Sequence, residues 1–135
     1  LEAIQPSQDG DGDGIHDECD CAPADAAVFA PPTEVGNLGF DTDGRTLTWN
    51  SQADGTGSST VYDLLRGLLD DLRADGDIGA ASCLATSVPE SRYTDATQPV
   101  IGEGFYYVVK ARNGCGEAGW GADGSGMERT HNGCP

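Results

Sequence analysis

A chain of 135 residues is long enough for one hydrophobic core with an appendage and too short for two domains with separate cores. Its formal charge of -16 is uneven: residues 1–44 carry eleven acids and no base, whereas residues 45–135 carry twelve acids against seven bases. Such a field repels nucleic acid and anionic membranes and lacks the Lys/Arg clusters that release counterions from phosphates, which leaves cations as the natural partners; no stretch is apolar for long enough to form a membrane-spanning helix.

In chain order, residues 1–30 show no periodicity that would give a helix or strand a buried face, and the composition changes near "FAPPTEVGNL". Alternation then begins. "TEVGNLGF" carries Val35 and Leu38 to Phe40, "DTDG" at 41–44 reads as a turn, and "RTLTW" alternates Leu47 and Trp49 with Thr46 and Thr48. Two strands joined by an Asp-Gly turn are predicted. "NSQADGTGSS" reads as a polar loop and "TVYDLLR" as a third strand. Leu64, Leu65, Leu68, Leu69 and Leu72 then fall at helical spacing, with Gly76 placed as a stop, so a short helix around 68–75 is predicted between strands. "SCLATSV" and "SRYTDA" signal two more short strands, "GFYYVVKAR" is the strongest strand in the chain, and "MERTH" is expected to close the sheet. With 20 Gly and 7 Pro between short apolar patches, the fold class is all-β with one inserted helix.

The five cysteines, 19, 21, 83, 115 and 134, are scattered and include no C-x-x-C pair, so disulfides in an oxidising compartment are expected over zinc or a redox centre. An odd count leaves one thiol over. The chain begins at Leu1 and its only Met is Met127, as in a processed mature form or a piece of something longer. "GCGEAG" at 114–119 matches G-x-G-x-x-G after a strand, but "WGADGSG" follows where a helix should open, so a glycine-rich hairpin is expected instead of a nucleotide loop. His16 and His131, the two histidines, sit in no arrangement resembling a nucleophilic triad, and no G-x-S-x-G occurs; no enzyme activity is expected. Trp120 reads equally as an exposed recognition aromatic or as a lid on the sandwich edge.

Six acids stand within Asp9–Asp20 with no Lys or Arg among them. Counted from Asp9, carboxylates occupy positions 1, 3, 5, 9 and 12 (Asp9, Asp11, Asp13, Asp17, Asp20), Gly14 is at 6 and Ile15 at 7. A hard cation takes six to eight oxygens from closely spaced carboxylates, a glycine at 6 for the sharp turn and a backbone carbonyl at 7, here that of Ile15. An acidic run is by default a solvated linker; this spacing instead designates Asp9, Asp11, Asp13, Ile15, Asp17 and Asp20 as Ca2+ ligands. His16, inside the loop, is at a position whose side chain usually faces water.

An EF-hand would flank this loop with helices, but Pro6 precedes it and "CDCAP" follows. The pattern D-x-D-x-D-G-x-x-D-x-x-D followed by Cys and Pro resembles a single thrombospondin type 3 calcium repeat, in which calcium replaces a hydrophobic core, with "CDCAP" standing where D-N-C-P is usual. Residues 31–135 resemble a fibronectin type III (immunoglobulin-like) β-sandwich: "PPTEVGNL" as first strand, "TLTW" with Trp49 as second, "VYDLLRG" as third, and "QPVIGEGFYYVVKARNGCG" as the sixth and its exit. The combination is similar to C-terminal regions of bacterial secreted and surface proteins. That register turns Tyr107, Val109 and Ala111 inward and puts Phe105, which has no hydroxyl, at the place of a corner tyrosine. In such a sandwich the N-terminus and the loop after the sixth strand share a pole, which implies Cys21–Cys115 and Cys83–Cys134 with Cys19 left over; four cysteines alone allow three pairings.

The resulting expectation is a non-enzymatic, calcium-binding structural or adhesive module, extracellular or at the cell surface, with residues 1–30 as an acidic stalk and 31–135 as the sandwich. Its partners would be proteins or copies of itself, with a glycan as a further candidate, and neither nucleic acid nor an inserted membrane. Two alternatives stand beside it: a carbohydrate- or protein-recognition module appended to a secreted enzyme, using Trp120 as contact surface, and a subunit of an extracellular filament or pilus.

Overall fold

The computed structural model describes residues 21–22, 24–122, 126–131 and 133–134. Two antiparallel sheets carry most of the regular structure. The first has three short strands in the order β1 (Gly39–Phe40), β2 (Thr46–Thr48), β5 (Arg92–Thr94); the second has four in the order β4 (Ser82–Val88), β3 (Val61–Leu68), β6 (Phe105–Asn113), β7 (Gly116–Glu117). The "DTDG" turn joins β1 to β2 in the register Gly39↔Thr48, Phe40↔Leu47. Asp43 organises this turn: its carboxylate accepts the amides of Arg45 and Thr46 at 2.8 Å and the Thr46 hydroxyl at 2.7 Å. Those hydrogen bonds, the Arg45 amide foremost, lower the Asp43 pKa to about 2.

Alternation accounts for the inner core. Leu47 and Trp49 from the first sheet meet Tyr62, Leu64, Val109 and Ala111 from the second, all buried, in a β-sandwich arrangement. Trp49 and Tyr62 contact edge to face at 5.3 Å. Val109 and Ala111 lie in this cluster and Tyr107 packs against it, the inward register expected for "GFYYVVKAR".

The second sheet is also covered on its outer face. Leu65 and Val108 pack there against Ile78, Ala81 and Trp120, with Leu72, Tyr106 and Cys134 alongside. This outer layer corrects the leucine reading: Leu64, Leu65 and Leu68 belong to β3, and α2 (Leu69–Asp75) takes only Leu69 and Leu72. A strand buried on both faces reads as a continuous apolar run, which helical periodicity imitates. The helix itself starts and stops as expected, with Asp70 and Asp71 in its first turn, Arg73 near its end, and Gly76 at φ 73° returning its amide to the Leu72 carbonyl. Gly67 of β3 leaves room for the ring of its cross-strand partner Tyr106; a Cβ there would stand 2.5 Å from that ring.

Three further expectations are corrected. "TEVGNLGF" is a strand only at Gly39–Phe40, because Asn37 takes φ 58° and breaks the extended run. "NSQADGTGSS" is not loop throughout: Ala53–Thr56 form a single helical turn, α1. "MERTH" is not the closing strand. Glu128 makes one isolated bridge to Ala122, and the last strand is β7, whose pairing with Arg112 and Asn113 gives the glycine-rich hairpin expected at 114–119.

Candidate functional site: the junction between the acidic segment and the sandwich

The expected calcium ligands Asp9, Asp11, Asp13, Ile15, Asp17 and Asp20, together with His16 and Cys19, lie outside the described residues. Among the described residues, no group of three or more His, Cys, Asp or Glu side chains is placed to hold a metal ion. What the structure does describe is how the chain leaving Asp20 is joined to the sandwich.

Cys21 is bonded to Cys115, in the β6–β7 turn, with Cα atoms 5.8 Å apart. Cys83 is bonded to Cys134, Cα to Cα 5.0 Å. These are the two pairings that the sandwich resemblance implied. Beyond Cys21 the chain folds back on itself: the Cys21 amide donates to the Phe29 carbonyl, the Asp25 amide to the Ala22 carbonyl and the Ala27 amide to Asp25 Oδ1. The Phe29 amide then reaches the Thr56 carbonyl at 2.9 Å, and the Ser59 amide reaches the Ala27 carbonyl at 2.8 Å. Val28, between them, is buried.

Two side chains complete this collar. Asn113, at the end of β6, donates to the Ala30 carbonyl at 2.9 Å and to the Thr60 hydroxyl at 3.0 Å, and accepts the Cys115 amide at 2.9 Å. Gln52 presents its amide as a backbone would, accepting the Thr33 amide at 2.8 Å and donating to the Thr33 carbonyl at 2.7 Å, while its own N–H donates to the Tyr62 hydroxyl at 2.9 Å. Gly57 permits the close approach: at φ 118° it lies so near the incoming chain that a Cβ would stand 2.4 Å from the Ala27 carbonyl oxygen. Nothing in periodicity or motif marked Gln52, Gly57 or Asn113, since their partners are distant in sequence.

The collar ties the segment to the end of the second sheet where β3 begins and β6 ends, by one covalent bond and a ring of satisfied backbone groups. Its chemistry is mechanical, and its effect is to hold Cys21–Ala30 against the sandwich.

Charged side chains elsewhere serve the sheets. Asp95 Oδ2 accepts from Arg66 and from the Tyr107 hydroxyl, each at 2.8 Å. Burial pushes the Asp95 carboxyl up, but the Arg66 hydrogen bond, the Thr97 amide and the Tyr107 hydroxyl outweigh it and bring the pKa to about 2. Tyr107 moves the other way, pushed up to about 12 by burial and by its carboxylate acceptor. Phe105, at the expected corner position, lies under the Arg66 guanidinium at 4.5 Å. Asp63, buried on β3, accepts Arg112 Nε at 2.9 Å, the Thr86 hydroxyl at 2.8 Å and the Ser87 amide at 3.0 Å; burial raises its pKa and these bonds lower it, with a net lowering.

Of the two readings of Trp120, the structure selects the lid. Its indole is 5% exposed, packed on Leu65 and Val108, beneath the Lys110 ammonium at 4.8 Å and beside the His131 ring. His131 is bound at both ring nitrogens, accepting the Gly133 amide at Nδ1 and meeting the Ala81 carbonyl at Nε2.

Fold and site together define a class: a two-sheet antiparallel β-protein, disulfide-bonded to the acidic segment that precedes it. Comparison with protein-family models, with curated proteins and with solved structures gives no match. No described helix is long and apolar enough to cross a membrane.

Proposed function

We propose that this chain is a calcium-binding structural or adhesive module, without enzymatic activity, in which Ca2+ held by Asp9, Asp11, Asp13, Asp17, Asp20 and the Ile15 carbonyl stiffens residues 1–30 into an arm. In this reading the arm is a thrombospondin type 3-like repeat and residues 31–135 are a fibronectin type III-like sandwich. The observation that carries it is the collar. Cys21, the residue after the last designated ligand, is bonded to Cys115 and followed by chain whose amides and carbonyls are held by Thr56, Ser59 and Asn113. An arm made rigid by a cation transmits direction only if its base is fixed, and this base is fixed.

Supporting the sandwich half of the reading, the strands order as β1-β2-β5 and β4-β3-β6-β7, "FYYVVKARN" is the sixth strand in the chain, and Trp49 leaves β2 into the core. Disulfides persist in oxidising compartments, which supports an extracellular or cell-surface location. The test is calorimetric titration with Ca2+ combined with thermal unfolding. Saturable binding and a midpoint that rises with calcium and falls with chelator are expected, because a ligand bound only to the folded state stabilises it by mass action. An unchanged midpoint at millimolar calcium rejects the proposal.

A further inference from the structure

Sheet edges are normally paired or blunted; among the described residues, part of one edge of the second sheet is left without a backbone partner. The Ala118 amide donates to the Ala111 carbonyl at 2.9 Å, so Ala111 turns its backbone polar groups toward the β7 side. By the period of two along a strand, Val109, Tyr107 and Phe105 turn theirs the same way. There β7 has already ended at Glu117, and the chain has left for the outer face, where Trp120 packs. Among the described residues no backbone group pairs with Tyr107 or Val109 on that side.

The space beside this edge is a cavity of about 670 Å³. Val35 and Leu38 form one wall and Ile78 and Trp120 the other, while Tyr107 and Val109 border it along the strand. An extended chain laid against β6 would therefore send alternate side chains to two apolar walls, the geometry of an added strand. Phe105–Lys110 offer six residues of edge, enough for about five residues of a pairing strand at a rise of about 3.4 Å each.

The chain's own "MERTH" does not fill the slot. The Arg129 amide is bonded to the Gly121 carbonyl, its guanidinium to the Trp120 carbonyl, and Glu128 bridges to Ala122, so this segment forms the far wall. It also has one apolar side chain in five, too few for two apolar walls. The rim carries Glu34, Asp77 and Glu128 against Arg129, on a molecule of net charge -16. That balance favours a basic occupant and opposes a second copy of this chain.

We propose that the open edge of β6 is an acceptor for an extended peptide segment of a protein partner, about five residues long, apolar on both faces and basic at its ends. The site does not depend on calcium or on the acidic segment. The test uses three synthetic seven-residue blocked peptides titrated into the full chain and followed by NMR: alternating valine and leucine with lysine at both ends, the same peptide with alternate amides N-methylated, and the same with glutamate at both ends. The first is expected to shift the Tyr107 and Val109 amide resonances saturably. N-methylation should abolish the effect by removing the ladder donors, and glutamate ends should weaken it by about tenfold or more, the size of one lost charge-assisted contact. No shift at those two amides, equal binding of the N-methylated peptide, or sedimentation showing copies of the chain paired through this edge would each overturn the proposal.

Discussion

The Tyr107 hydroxyl donates to Asp95 Oδ2 at 2.8 Å, and by doing so joins β6 of one sheet to the residue that follows β5 of the other. Arg66 of β3 reaches the same oxygen, and the Asp95 amide donates to the Arg45 carbonyl. The Asp95 carboxylate is 4% exposed, so its charge is compensated by these donors more than by water. At this end of the sandwich a polar tie does what apolar packing does in the middle. Tyr107→Phe is expected to cost about 1–2 kcal/mol, and Asp95→Ala about 2–3 kcal/mol because it leaves Arg66, the Tyr107 hydroxyl and the Thr97 amide without their acceptor. Urea unfolding of the two variants checks the order; equal stabilities of Tyr107→Phe and the parent would show that the bond adds nothing.

The same groups set the pH range. Asp43 and Asp95 have folded pKa values of about 2, below the ordinary aspartate value of 3.8 that stands for the unfolded chain, and Asp63 is lowered too. A depressed carboxylate contributes stability that is present above the unfolded value and lost as pH falls toward the folded one. Tyr107 is raised from 10.0 to about 12, so its contribution is present below 10 and lost as pH rises toward 12. Thermal midpoints should therefore fall below about pH 4 and again above about pH 10. In Tyr107→Phe the alkaline decline should be smaller while the acid limb remains.

At the collar, Gly57→Ala introduces a Cβ against the Ala27 carbonyl at a backbone angle that side chains rarely adopt. A loss of about 3 kcal/mol is expected from strain and displacement together. Gly44, at φ 69° with nothing within 4 Å, is the control: Gly44→Ala should cost about 1 kcal/mol. If the two variants unfold at the same denaturant concentration, the collar does not depend on that close approach.

The disulfides bridge separations of 94 and 51 residues, and closing loops of such length restricts the unfolded chain by about 4–5 kcal/mol on the entropic account. Replacing Cys21 and Cys115 by Ser should lower stability by about 2–5 kcal/mol. It should also uncouple the arm: calcium would still bind, but its effect on the melting of the sandwich should shrink. A calcium effect of unchanged size in this variant would mean that Cys21–Cys115 does not transmit it.

Trp49 and Trp120, the two tryptophans of the chain, are each 5% exposed. Native fluorescence should be blue-shifted and nearly unquenched by iodide. Trp120→Ala should lose about 3–5 kcal/mol through the cavity left between Leu65, Val108 and Ile78. Strong iodide quenching of the native chain would contradict the buried indole.

Much of the fold is legible in short windows of the chain. Leu47 and Trp49 alternate with threonines because they line one face of a strand, and Gly76 ends α2 because its left-handed conformation disfavours other residues. The leucine misreading has one cause. Leu65 and Trp120 are buried in an outer layer that exists only once α2, Ile78 and the C-terminal residues fold across the second sheet, and no local pattern records a second covering of one strand. Gln52 and Thr33, 19 residues apart, and Asn113 and Ala30, 83 apart, are likewise invisible to periodicity.

By itself the amino-acid sequence determined the acidic spacing from Asp9 to Asp20, the alternating strands and the short helix, because carboxylate spacing, side-chain alternation and helix capping are set by neighbours within a few residues. Only the tertiary structure decided that Cys21 enters a bonded collar, that Trp120 is a lid, and that β6 keeps an edge unpaired among the described residues. Each of those depends on which distant segments pack on a given surface, and hydrogen bonds and apolar contacts between them form only when the backbone has brought them within a few ångströms.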